Sequence, residues 1–134
     1  MTDIVILGGA RTAIGTFGGA LAGTAPIDLG TVAAKAALER AGVEGGQVGH
    51  VAFGHVINTE PRDMYLSRVA AMQAGVPDTV PAMNVNRLCG SGVQAIVSVI
   101  QSLTLGDAAF GLAGGAESMR SEEHTSELQS LTNL

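Results

Sequence analysis

The sequence predicts an α/β fold built on a mostly parallel sheet, ordered β-α-β-α-β-α-β. Three observations predict it. Short runs rich in β-branched residues alternate with longer stretches of helical periodicity. A glycine closes each helical stretch, and the helix stops Ala41-Gly42-Val43 and Ala74-Gly75-Val76 echo one another. The composition is that of a folded domain: 46% of the 134 residues are hydrophobic and only 14% charged.

Taken in order, Ile4-Val5-Ile6-Leu7 reads as a buried strand that stops at Gly8-Gly9. Residues 11–25, rich in Gly, Ala and Thr, read as a loop. Pro26 to Ala41 reads as a helix, with Leu29, Val32, Ala33, Ala36 and Ala37 on the apolar stripe. Val48 to Val56 is the second strand. Arg62 to Ala74 is the second helix, carried by Leu66, Val69, Ala70 and Gln73. Ala82 to Val85 is a short third strand, Gly90 to Leu105 the third helix, and Ala108 to Ala113 the fourth strand. The third helix is apolar almost all round, through Val93, Ala95, Ile96, Val97, Val99, Ile100 and Leu103. A chain this short cannot cover such a helix, which implies a second domain or a partner against it.

Several function classes are disfavoured at this stage. Aromatics at 3% offer few stacking platforms for nucleic-acid bases, and a net charge of −5 repels phosphates. Val93–Leu105 is interrupted by Gln94, Ser98, Gln101, Ser102 and Thr104, so no membrane span is expected. The N-terminus lacks the basic and apolar pattern of a signal peptide. A single cysteine excludes an internal disulfide and fits a reducing, cytoplasmic compartment.

That cysteine is the leading site candidate. Cys89 stands in Val85-Asn86-Arg87-Leu88-Cys89-Gly90-Ser91-Gly92, where a loop meets the third helix. The thiolate is the nucleophile, and the unpaired N–H groups and positive dipole end of a helix start favour an anion there. Flanking glycines leave room for an acyl group. From the residues alone a small core hydrophobe stays open beside a nucleophile. Arg87 could supply local positive charge or be a solvated charge. Gly8-Gly9-Ala10-Arg11 lacks a phosphate-loop pattern, so Arg11 reads as structural. Glu117 and Ser118 read as a structural turn near the pocket. His50 and His55 lack a third ligand, so no metal site is expected; His55 reads as a polar residue at a strand end.

The segment from Val85 through Ile96 resembles the acyl-enzyme active-site segment of the thiolases, the acetyl-CoA acetyltransferase and 3-ketoacyl-CoA thiolase family. Ala10 to Gly19 is similar to the family's opening motif. Thr59-Glu60-Pro61-Arg62-Asp63-Met64-Tyr65 resembles its broad-specificity β-ketothiolase branch, and Gly114-Gly115-Ala116-Glu117-Ser118-Met119 its Gly-Gly-x-Glu-Ser-Met turn. The resemblance covers residues 3–119. It implies the N-terminal half of a two-half enzyme, with Cys89 taking an acyl group from a coenzyme A thioester before a second acetyl-CoA attacks. The reverse reaction is thiolytic cleavage of a 3-ketoacyl-CoA. It further implies CoA thioesters as substrates, no resident cofactor, and a homodimer or homotetramer. His55 departs from the asparagine usual in the family's Gly-Asn-Val. The family's Gly-His-Pro, Cys-x-Gly and Asn-Glu-Ala-Phe segments do not occur in this sequence, so this chain alone is expected to be inactive. A β-ketoacyl synthase-like condensing enzyme and a non-catalytic α/β ligand-binding module are the alternatives. Residues 120–134, from Arg120-Ser121-Glu122-Glu123-His124 onward, resemble a translated sequencing adapter and read as a non-native tail on a 1–119 domain.

Overall fold

The computed structural model describes residues 3–119; the tail reading lies outside these. Three helices and three strands follow in order: α1 (Pro26–Ala41), β1 (Val48–Gly54), α2 (Leu66–Gln73), β2 (Ala82–Val85), α3 (Ser91–Leu105) and β3 (Phe110–Gly115). Short 3-10 turns at Gly45–Gln47 and Pro61–Tyr65 precede β1 and α2. The strands form one parallel sheet in the order β2-β1-β3, with Val51 opposite both Ala82 and Leu112. Parallel neighbours need crossovers, and the helices supply them.

The sheet carries α1 and α2 on one face and α3 on the other. Side chains alternate along β1, so Val51 and Phe53 meet Ile27, Leu66 and Ala70, while Ala52 meets Ala95 and Val99. Pro26 opens α1, where its missing N–H costs nothing. Gly42, at φ 65°, ends it in the left-handed region that glycine enters freely, and donates its N–H to the Glu39 carbonyl. The Thr31 hydroxyl donates to the Ile27 carbonyl and lies 2.8 Å from the Gln73 side-chain amide, which joins α1 to α2. Asn84 on β2 accepts from the Ser67 N–H and donates to the Asp63 and Met64 carbonyls, tying the sheet to the start of α2.

Five expectations need correction. Ile4–Leu7 forms no strand, and Val5, Ile6 and Leu7 are exposed. A β-branched run only becomes a strand when a ladder partner lies beside it, and the three-stranded sheet does not include this one. The buried stripe of α1 is Ile27, Gly30, Thr31, Ala34 and Leu38, whereas Val32 is exposed. Small residues at 30 and 34 let α1 approach its neighbours, which a count of apolar residues does not register. Residues 61–65 form a 3-10 turn rather than the first turn of α2, and β3 starts two residues later than expected, at Phe110. Finally, Leu88–Leu105 is long and apolar enough, by length and composition, to cross a membrane, with a mean hydropathy of 1.5 over 18 residues. The polar interruptions do not offset the count once Leu88, Cys89 and Gly90 are included. In the structure Ala95 and Val99 pack this helix on the sheet.

Candidate active site

Cys89 lies where β2 hands over to α3, at the C-terminal end of the parallel strands. Ligands of open α/β sheets gather at that end. The helix begins at Ser91 with Gly90 as its N-cap, so Cys89 stands one residue outside it. A tight turn presents it: Gly90 N–H donates to the Arg87 carbonyl and Ser91 N–H to the Leu88 carbonyl. Leu88, at φ 49°, occupies a region that side chains rarely adopt. Surrounding bonds hold it there. Its N–H donates to Asn86 Oδ1, its carbonyl accepts from the Ser91 hydroxyl, and Ser91 Oγ accepts from the Arg87 N–H. Strain persists where the surroundings over-determine it, and such residues cluster at functional sites. Here its effect is to turn Cys89 outward, and the thiol is free and exposed.

Gly54 makes this placement possible. A Cβ there would sit 2.7 Å from the Ser91 carbonyl carbon and 2.8 Å from the Gly92 nitrogen. Only a glycine at the end of β1 lets the start of α3 come this close. On the same face, a Cβ at Gly111 would strike the Val99 side chain at 2.3 Å.

A cavity of about 690 Å³ opens at Cys89, lined by Gly54, Val56, Ile57, Leu88, Ser91, Gly92, Gly115, Ala116 and Glu117. That size suits a small-molecule group. The β1 and β3 ends that wall it are stitched together. Ala116 N–H donates to the Gly54 carbonyl, and the Val56 and Ile57 N–H groups donate to the two Glu117 carboxylate oxygens at 3.0 and 2.9 Å. Glu117 is thus structural, as its turn implies, and it also lines the cavity.

The other singled-out residues fall as follows. Arg87 bonds Gln94 Oε1 at 3.0 Å across the first turn of α3. Arg11 lies outside the lining of the Cys89 cavity; its guanidinium donates to the Thr12 carbonyl, and it borders a second cavity of about 520 Å³ with Ser118 and Met119. His50 sits on β1 with Nε2 buried and unpartnered. Among the described residues no three His, Cys, Asp or Glu side chains are grouped to hold a metal ion.

Sequence reasoning missed one cluster. His55 is buried beside Asp63 and Glu117, with Nδ1 2.8 Å from the Ala116 carbonyl and Nε2 4.0 Å from Asp63 Oδ2. Asp63 is fully buried, and its Oδ2 accepts from the Thr59 N–H and hydroxyl and from the Glu60 N–H. Burial alone would raise its pKa, but the bonds from Thr59 and Glu60, with a smaller contribution from the neighbouring His55 ring, outweigh that and hold its carboxyl below the ordinary value. The clue in the sequence was a capping pattern, Glu60 to Asp63. What it could not show was that β1 delivers His55 to the same spot.

The unit is thus a parallel α/β sheet with an exposed cysteine at the head of α3, beside a largely apolar cavity. The sequence matches the profile "Thiolase, N-terminal domain" over residues 4–134, a span that includes the tail set apart above, and the chain belongs to the thiolase family. It is 59% identical over 117 residues to Beta-ketothiolase BktB of Cupriavidus necator, covering 87% of this chain and 30% of that protein. It is 47% identical to an acetyl-CoA acetyltransferase of the same organism, covering 92% and 31%. Among solved structures, the Bacillus anthracis acetyl-CoA acetyltransferase superposes with a TM-score of 0.78 at 40% identity, covering 87% of this chain and 29% of that one. Human mitochondrial 3-ketoacyl-CoA thiolase gives 0.74 at 37%, covering 76% and 26%. The chain therefore spans about 30% of the length of the curated relatives it matches.

Proposed function

We propose that this chain is the nucleophile-bearing part of an acetyl-CoA C-acyltransferase and that Cys89 is the acyl acceptor. The Cys89 thiolate attacks the carbonyl carbon of an acyl-CoA, the carbon–sulfur bond to coenzyme A breaks, and the acyl group becomes a thioester on Sγ. CoA leaves as its thiol. A second acetyl-CoA, deprotonated at its methyl carbon, then attacks the thioester and releases a 3-ketoacyl-CoA and the free cysteine. The reverse sequence cleaves a 3-ketoacyl-CoA with CoA thiol. The backbone N–H of Cys89 is one donor to the thioester oxygen.

The observation that carries this reading is the outward Cys89 on a strained, over-bonded turn at the mouth of a cavity. The acid–base groups would come from the remainder of the protein, so the 134 residues alone are proposed to lack turnover. The apolar outer face of α3 would be covered by that remainder, within a homodimer or homotetramer in the cytoplasm.

The test is acylation of Cys89 in the full-length enzyme. Incubation with acetyl-CoA should add an acetyl mass to the peptide containing Cys89 and protect it from iodoacetamide. Cys89→Ala should lower turnover at least 10³-fold, an order of magnitude ordinary for a covalent nucleophile. Turnover retained by that variant would end the proposal.

A further inference from the structure

A buried titratable cluster stands directly behind the Cys89 cavity, and the acyl-enzyme mechanism makes no use of it. The His55 ring is 1% exposed. Its Nδ1 lies 2.8 Å from the Ala116 carbonyl, which can only accept, so Nδ1 carries a proton. Its Nε2 is buried without a hydrogen-bond partner and faces Asp63 Oδ2 at 4.0 Å. Asp63 already accepts every donor on that same oxygen, and its Oδ1 is buried without a partner. Glu117 Oε1 stands 3.6 Å from Nδ1. The carboxylates against the ring therefore come from two elements, Asp63 from the turn before α2 and Glu117 from the segment after β3. A neutral ring would aim the Nε2 lone pair at a buried carboxylate. A second proton on Nε2 turns that opposition into attraction and gives the buried anion a cation.

We propose that His55 is a positioning residue for the wall of the Cys89 cavity, protonated on both ring nitrogens so that it braces Ala116 on one side and Asp63 on the other. The cavity wall is made where residues 54–57 cross residues 115–117. Three of the bonds at that crossing are backbone or Glu117 bonds, and the ring supplies the fourth. An asparagine here could donate to the Ala116 carbonyl, but it is too short to reach Asp63 as well. Histidine thus adds a second brace, and that brace depends on a proton. The bearing on catalysis rests on the acyl-enzyme reading; the protonation and the bracing do not.

The test is nitrogen-15 histidine NMR of the 134-residue chain, with amide exchange of Val56 and Ile57 in the same samples. At pH 7 both His55 ring nitrogens should show a bound proton, and Asp63→Asn should remove the one on Nε2 while leaving Nδ1. His55→Leu should lower the protection factors of Val56 and Ile57 at least tenfold, and His55→Asn should recover most of that loss. Raising the pH until Nε2 loses its proton should lower both protection factors in the parent chain and leave them unchanged in His55→Asn. Protection at Val51, in the sheet core, reports whether each variant is folded. An unprotonated Nε2 at pH 7, or equal protection at Val56 and Ile57 in all folded variants, would overturn the inference. Either result would leave the Cys89 assignment intact, and failure of Cys89 acylation would leave the ring measurement intact.

Discussion

Leu88, Cys89 and Gly54 form one device at the scale of single residues. Leu88 takes the unfavourable backbone angle, neighbouring side chains hold it, and Cys89 is turned toward solvent as a consequence. Gly54 lets the helix start sit against the strand end. Gly54→Ala forces a Cβ within 2.7 Å of backbone, which cannot rotate away. We expect that variant to lose about 1–3 kcal/mol in chemical denaturation, the usual cost of overpacking. Displacement of Ser91 should also slow Cys89 acylation in the full-length enzyme by at least tenfold. Asp63 makes a second prediction, on pH. Its carboxyl is held below the ordinary 3.8, so near that pH the folded state binds fewer protons than the unfolded chain. The stabilisation is then present above about pH 3.8 and fades as the pH falls through the lower folded value. The stability gap between the parent chain and Asp63→Asn should therefore narrow on acidification from about pH 6 to about pH 3, as read by denaturation midpoints. A constant gap would contradict the ionised, bonded carboxylate.

At the scale of elements, the glycine stops were the most legible signals, because a left-handed residue after a helix has a local cause. Gly42 lets that cause be isolated: a Cβ there meets nothing within 4 Å, so only the backbone angle of 65° opposes it. Gly42→Ala should cost about 1–2 kcal/mol, with the fold unchanged by circular dichroism. Helix faces were less legible. The stripe read through Leu29 and Val32 was displaced because α1 packs by Gly30 and Ala34, and small residues score low in any apolar count. Ile4–Leu7 fails for another reason. Its composition is that of a strand, but a ladder needs a neighbour, and the sheet described here stops at β3.

Across the whole molecule, burial is lopsided. The layer under α1 and α2 holds twelve buried hydrophobic residues, while the layer under α3 holds Ala52, Ala95 and Val99. Val93 is 67% exposed, and Ile96, Val97 and Ile100 are also open to solvent. Apolar area left this exposed favours association. Val93→Glu should leave the stability of the 134-residue chain within about 0.5 kcal/mol, as for an ordinary surface change. It should also reduce self-association in sedimentation velocity. In a full-length protein where that face is covered, the same substitution should destabilise by more than 1 kcal/mol, since it would bury an unpaired charge.

The sequence by itself determined the alternation of strands and helices, the three helix stops and the identity of the nucleophile candidate. These are written in local spacing, in a glycine's backbone freedom and in one cysteine's place beside an apolar helix. Tertiary structure alone decided which face of α1 is buried, that Ile4–Leu7 lacks a strand partner, and that His55, Asp63 and Glu117 meet behind Cys89. Those outcomes depend on residues far apart in the chain: His55 and Ala116 are 61 positions apart and touch only because β1 and β3 are neighbours in the sheet. Periodicity reports what a residue does within its own helix or strand, and only packing reports what stands opposite it.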